Sequence, residues 1–302
     1  MTQTRPVAPR ERLADQAFGL GWAITRHAPE PAATRLLEGA ADRLWKRRGP
    51  GVQQLEANLR RAVPGHSEAE LRLLSHAAMR SYFRYWHEAF RLPSWSRRRI
   101  VDMVVTNNEA PLRDGFGAGR GAIIALPHMG NWDLAGAWAC LTGMPVSTVA
   151  EVLRPESLFN RFVSYREQLG MEVVPLAKDG NALARLKRSL DAGRLVCLLT
   201  DRDLSSSGLE VELLGEPARL PGGPAVLARM TGAPIVALSL TYRGPLLHLD
   251  FSDPVAVRPG RAGVVRMTQE IADFFSAGIR GAPADWHMLQ RVFTADLEPG
   301  VR

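Results

Sequence analysis

From about Gly115 onward the chain keeps repeating one pattern: a short apolar run, a turn, then a stretch with apolar residues three and four apart. The short runs cover 122–126, 146–149, 172–175, 195–200, 234–242 and 246–251. Helix-like segments lie between them, at 134–141, 156–169, 181–192 and 224–231. Apolar runs of this length between turn signals read as buried strands, and parallel strands need a crossover that is usually a helix. The alternation therefore predicts an α/β fold with a central, mostly parallel sheet flanked by helices.

Upstream the apolar spacing is helical. Phe18, Leu20, Trp22 and Ile24 form one such segment; Leu36, Leu37, Ala40, Ala41, Leu44 and Trp45 form another after a break at Pro29 and Pro31. Ser67 and Glu70 make a capping box ahead of Leu71, Leu74, Ala78, Tyr82, Tyr85, Trp86 and Phe90, a face that ends before Pro93. No Gly-, Ser- or Pro-rich linker divides the chain. The reading is a single domain over 1–302, with a helical N-terminal layer (1–105) on an α/β core (106–302).

Composition removes several classes of function. A 46% hydrophobic chain of 302 residues is large enough for a sizeable core and argues against disorder. No run of eighteen apolar residues occurs, and no apolar run follows the charges at the N-terminus, so neither a spanning helix nor a signal peptide is expected. Lys and Arg total 38 against 31 Asp and Glu, a net charge of +7 that favours an anionic partner. Nucleic acid is disfavoured, because no binding motif or basic-aromatic stripe appears. Cys140 and Cys197 sit in apolar runs and read as core residues. His27, His66, His76, His87 and His248 have no partner at metal-ligand spacing, so neither a metal nor a bound cofactor is expected.

Chemistry concentrates in 121–141. An expected strand at 122–126 feeds Pro127-His128-Met129-Gly130, and Asn131 precedes a helical run. Catalytic groups in α/β folds gather beyond the carboxyl ends of strands, which is where His128 stands. Asn131 is a good N-cap, placing Asp133 in the first helical turn, where the helix dipole keeps a carboxylate ionised. Gly130 permits a sharp bend, so Asp133 is expected to hold one imidazole nitrogen while the other faces a substrate hydroxyl. An alcohol attacks a thioester only if a base takes its proton, and a histidine oriented by a carboxylate suits that task. An isolated H-x4-D is common, and these residues also allow Asn131 and Asp133 merely to cap a helix.

The segment Leu126-Pro-His-Met-Gly-Asn-Trp-Asp133 resembles the signature of bacterial lysophospholipid acyltransferase-like enzymes. More narrowly it is similar to the branch holding lipid A acyltransferases and actinobacterial phosphatidylinositol mannoside acyltransferases. Further segments agree in order: Ser81-Tyr-Phe-Arg-Tyr-Trp-His, Ala150-Glu-Val-Leu-Arg-Pro, Arg161-Phe-Val-Ser-Tyr-Arg166, Thr200-Asp-Arg-Asp-Leu204, Ala218-Arg-Leu-Pro-Gly-Gly-Pro224 and Pro283-Ala-Asp-Trp-His-Met-Leu-Gln290. The resemblance spans about Ser81 to Gln290. It implies transfer of a long acyl chain, typically palmitoyl, from acyl-CoA as co-substrate to a mannose 6-hydroxyl of a phosphatidylinositol mannoside. The setting it implies is peripheral, on the cytoplasmic face of the plasma membrane, in glycolipid biosynthesis.

Carried over by position, His128 is the base and Asp133 its partner, and Glu151, Arg166 and Asp201 help bind the acceptor or order the pocket. Close relatives can carry Glu where Asp201 stands. Another glycolipid acceptor of the lipid A type, a lysophospholipid acceptor and a non-catalytic lipid-binding homologue are the alternatives. Arg43, Lys46, Arg47, Arg48, Arg60 and Arg61, with Trp22 and Trp45, are expected to face an anionic membrane surface. Trp286 and His287 are expected to be packing residues.

Overall fold

The computed structural model describes residues 22, 25–151, 156–176, 181–203 and 208–297. Phe18, Leu20 and Ile24, expected to be helical, lie outside them, as does Arg154.

The N-terminal layer includes the helices α1 (Glu30–Arg47), α2 (Pro50–Ala62) and α3 (Glu68–Arg91). The break expected at Pro29 and Pro31 is the start of α1. Pro29 is its N-cap, Glu30 lies in the first turn, and Lys46 and Arg47 in the last, as the helix dipole favours. The Ser67 box is formed at α3. Ser67 Oγ accepts from Glu70 N at 3.3 Å, and Ser67 N donates to Glu70 Oε2 at 2.7 Å. Val52, Leu55 and Leu59 of α2 pack on Leu71, Ala78 and Met79 of α3 as a small separate core.

The remaining elements follow in chain order: α4 (Arg97–Asp102), β1 (Val104–Asn107), α5 (Ala110–Gly115), β2 (Ala122–Leu126), α6 (Trp132–Leu141), β3 (Val146–Glu151) and α7 (Glu156–Gln168). Then come β4 (Glu172–Leu176), α8 (Ala182–Asp191), β5 (Leu195–Leu199), β6 (Leu209–Leu213) and β7 (Glu216–Leu220). α9 (Gly223–Thr231), β8 (Ile235–Arg243), β9 (Leu246–Phe251) and α10 (Gly260–Gly281) complete the order. The main sheet runs β1-β9-β8-β2-β5-β3-β4, parallel throughout except at β8–β9. The expected class holds, and all six expected strands are present.

β2 lies in the middle of this sheet with every residue buried. Side chains alternate between its faces. Ile123 and Ala125 join Leu227 of α9 and Met267 and Phe275 of α10; Ala122, Ile124 and Leu126 join Leu134 and Trp138 of α6 and Tyr85 and Leu92 from the helical layer. Helices on both faces explain the unbroken apolar run at 122–126.

The helical layer is tied to the core by a buried polar bridge. Glu88 of α3, 5% exposed, accepts from Arg84 Nε at 2.8 Å, Asn131 Nδ2 at 2.8 Å and Tyr242 Oη at 2.7 Å. The basic residues expected on one membrane face divide. Arg43, Lys46 and Arg47 are exposed on α1 near the exposed Leu36 and Leu44. Arg48 and Arg60 instead pair with Glu56 and Glu68, and Arg61 with Glu216 and Asp296. Both tryptophans expected there are turned inward: Trp45 Nε1 donates to Ser75 Oγ at 3.0 Å, and Trp22 stacks on Phe90 with ring centres 4.9 Å apart.

Candidate active site

Two neighbouring parallel strands end level with each other, and the site is built on that register. β2 pairs with β5 so that Leu126 faces Leu199. His128 is two residues past Leu126 and Asp201 two past Leu199, so the two side chains emerge beside one another at the carboxyl edge of the sheet. Asp201 Oδ1 lies 2.6 Å from His128 Nδ1, and Oδ2 accepts from His128 N and from Trp286 Nε1, both at 2.9 Å. Burial alone would raise the Asp201 carboxyl; the charge and hydrogen bonds of His128, with the Trp286 indole, more than offset it and hold it below its ordinary value. An ionised carboxylate only accepts, so Nδ1 carries the ring proton and Nε2 presents a lone pair. Among the described residues no hydrogen bond engages Nε2.

This corrects the expected partner. Asn131 caps α6 as foreseen, its Oδ1 accepting from Leu134 N at 2.9 Å. Asp133 does lie in the first turn, but that turn faces α3 and α7 rather than the strand end. Its carboxylate accepts from Arg166 Nε at 2.7 Å and from Tyr85 Oη at 2.9 Å. Asp133 is 2% exposed, and burial, which would lower Arg166, is outweighed by this carboxylate, so the guanidinium is held even more firmly charged. Arg166 thus forms its ion pair with Asp133. Glu151 is exposed at the end of β3.

The connection from 127 to 131 is fixed from above by the segment 285–287. Gly130 N donates to Asp285 O at 2.9 Å and His287 N to His128 O at 2.8 Å, with Met129 and Trp286 forming an antiparallel bridge. Gly130 has φ +57°, and a Cβ there would stand 2.9 Å from both Cβ and the carbonyl oxygen of Leu240. Only glycine meets both demands.

Two cavities meet at this edge. A cleft of about 320 Å³ is walled mainly by apolar and aromatic side chains, among them Trp86, Trp132, Phe159, Phe162 and Leu289, with His128, Glu151, Arg166, Arg202 and His287 as its polar points. A narrow, mainly apolar cavity runs between α6 and the sheet, past Val149 of β3, Cys197 of β5, Ile124 of β2, Leu238 of β8 and Phe251 of β9. In this structure the cavity holds about 50 Å³. Both cavities share Trp132, Val149, Arg166 and Leu199 as walls. Burial pushes the Cys197 thiol well up from its ordinary value, which keeps it inert. Among the described residues no three His, Cys, Asp or Glu side chains converge as metal ligands would.

Sequence reasoning missed Trp286 as a hydrogen-bond donor to the site, and it misplaced Asp201. The clue was present in the late segment 283–290, whose distance along the chain hid its contact with residue 128.

A histidine–carboxylate pair stands at a strand end in a largely apolar cleft, beside a narrow apolar cavity, and such a pair is suited to taking a proton from a hydroxyl. The chain belongs to the bacterial lipid A biosynthesis acyltransferase family, whose sequence model matches residues 8–295, and it is an O-acyltransferase. Within that range of relatives it is 41% identical to the phosphatidylinositol mannoside acyltransferase of Mycolicibacterium smegmatis, over 95% of this chain and 93% of the relative. It is 40% identical to the phosphatidylinositol mannoside acyltransferase of Mycobacterium tuberculosis, over 98% of this chain and 95% of the relative.

Proposed function

We propose that this enzyme moves a long acyl chain, palmitoyl, from acyl-CoA to a mannose 6-hydroxyl of a phosphatidylinositol mannoside. One observation carries the reading: an Asp201-bound imidazole lines a cleft that has both apolar and charged walls and shares Trp132, Val149, Arg166 and Leu199 with a narrow apolar cavity. The acyl chain runs along the apolar walls of the cleft into the apolar cavity, which widens to take it, and the sugar lies beside the charged residues of the cleft. His128 Nε2 takes the hydroxyl proton as the oxygen attacks the thioester carbonyl. Collapse of the tetrahedral intermediate breaks the C–S bond, and the imidazolium returns the proton to the departing thiolate. Asp201 keeps the imidazole in the accepting tautomer and supports its transient charge. Asp133 acts at one remove by holding Arg166, and Arg166 and Glu151 contact the acceptor head group from the cleft wall.

No helix among the described residues is long and apolar enough to cross a membrane. The lipid substrates are met instead by peripheral attachment to the cytoplasmic face of the plasma membrane, through Arg43, Lys46 and Arg47 beside exposed Leu36 and Leu44. The test is an assay of the purified protein with palmitoyl-CoA and mono- or dimannosylated phosphoinositide, beside His128→Ala. General-base catalysis is worth about 10²–10⁴-fold, so the variant should lose activity on that order while its fold persists. Unchanged turnover in the variant removes the mechanism; no sugar acylation by the wild type removes the substrate.

A further inference from the structure

The cleft beside His128 holds a second imidazole that the transfer step does not use. His287 is 6% exposed and lines the same cleft, its ring centre 5.5 Å from that of Tyr82 and 6.3 Å from that of Trp132. Nε2 lies 3.0 Å from Ser81 Oγ, and Ser81 donates to Asp285 Oδ1 at 2.7 Å. Asp285 Oδ2 accepts from Tyr242 N at 2.8 Å, so both carboxylate oxygens are engaged. Nδ1 of His287 is buried and has no hydrogen-bond partner among the described residues.

The tautomer follows from counting protons. A serine hydroxyl has one proton, and Ser81 gives it to the Asp285 carboxylate. Ser81 therefore meets the imidazole as an acceptor, which places the ring proton on Nε2 and leaves Nδ1 a bare lone pair. Burial, with His128 nearby, pushes this imidazole down to about 3, so Nδ1 does not gain a second proton at neutral pH. A buried acceptor without a donor is destabilising unless a ligand brings the donor.

We propose that His287 Nδ1 accepts a hydrogen bond from a second hydroxyl of the acceptor sugar, and that Ser81 and Asp285 are positioning residues that hold it in the accepting tautomer. This rests on the function proposed above. The reacting hydroxyl gives its only proton to His128, so the bond at His287 comes from a different hydroxyl of the same head group. The hydrogen bond from His287 N to His128 O, 2.8 Å long, ties the two histidines together. With both imidazoles lining one cleft, an acceptor that offers a second hydroxyl is favoured over an alcohol with one.

Singly deoxygenated mannosyl acceptors test this. With wild type, one analogue that keeps the acylated hydroxyl should lose about tenfold in kcat/KM, the upper end for a neutral hydrogen bond. His287→Phe should show a comparable loss with the intact acceptor and no further loss with that analogue. His287→Asn, whose amide oxygen can stand near the Nδ1 position, should recover the discrimination. Ser81→Ala should raise the acceptor KM and leave the acyl-CoA KM unchanged. Nitrogen-15 spectra of the ligand-free protein, assigned by loss of the signal in His287→Phe or His287→Asn, should show the proton on Nε2; a proton on Nδ1 overturns the proposal. Wild type that acylates the intact acceptor yet ranks the analogues as His287→Phe does overturns it and leaves the function above standing. Wild type that acylates no mannosylated acceptor overturns both.

Discussion

Asp201 reaches His128 because both residues stand two positions beyond a register pair, a fact of sheet order and not of sequence distance. The short side chain of Asp suffices: one oxygen meets the ring and the other gathers the His128 amide and the Trp286 indole. At the same scale, His287 makes a pH prediction. An unfolded histidine titrates near 6.5, while the folded one is pushed down to about 3. Between those values the unfolded chain binds a proton that the folded chain refuses, so stability is full above about pH 6.5 and is lost as pH falls. From pH 7 to about pH 4.5 this group should cost about 3 kcal/mol, on the basis of about 1.4 kcal/mol per pH unit. Denaturant titrations should show that slope in wild type and its loss in His287→Phe; equal slopes would mean the imidazole is not buried neutral.

Among the elements, the turn from β2 to α6 depends most on one residue. Gly130→Ala must place a Cβ at φ +57° and against Leu240 backbone, which should cost about 2 kcal/mol or more and lower activity by moving His128. Chemical denaturation beside the acyl-transfer assay would check it, and a variant of full stability and activity would contradict this account of the turn. The capping box of α3 gives a milder case: Ser67→Ala should lose about 1 kcal/mol, read as a lower midpoint of unfolding. The same elements show what the residues could reveal. Long apolar runs such as 122–126 and 195–200 announced buried strands because both faces are covered, and Ser67 with Glu70 announced a helix start. β1 escaped notice because four residues, three of them half-buried, carry little pattern. The β6–β7 hairpin turns through Leu214 and Gly215, both at positive φ, and a leucine gives no warning of that. His128, Arg166 and Asp201 were legible as candidates; the contact of His128 with Asp201 was not, since 73 residues separate them.

For the molecule as a whole, the helical layer serves the site by clamping its entrance turn. Glu88 joins α3 to the α6 cap at Asn131 and to β8 at Tyr242. Glu88→Ala leaves Asn131 Nδ2 and Tyr242 Oη without this acceptor, while Arg84 keeps the Gly244 and Pro245 carbonyls, and should cost about 2 kcal/mol or more. Thermal unfolding followed together with activity should show both falling; a variant as stable as wild type would mean the layer docks without this bridge. The charged face of α1 predicts that binding to anionic vesicles weakens as salt rises, each cation near such a surface contributing about 1 kcal/mol. Arg43→Glu with Lys46→Glu and Arg47→Glu should abolish that salt dependence in a vesicle sedimentation assay, whereas salt-insensitive binding by wild type would place the contact elsewhere.

The most direct test of the dyad is the kinetics of His128→Ala, Asp201→Asn and the double variant, measured as kcat/KM with palmitoyl-CoA and a mannosylated phosphoinositide. Residues that act as one unit give non-additive losses. The double variant should be little worse than His128→Ala alone, with Asp201→Asn also strongly impaired. Additive losses, or an Asp201→Asn enzyme of undiminished activity, would contradict an imidazole that takes the proton because Asp201 holds it.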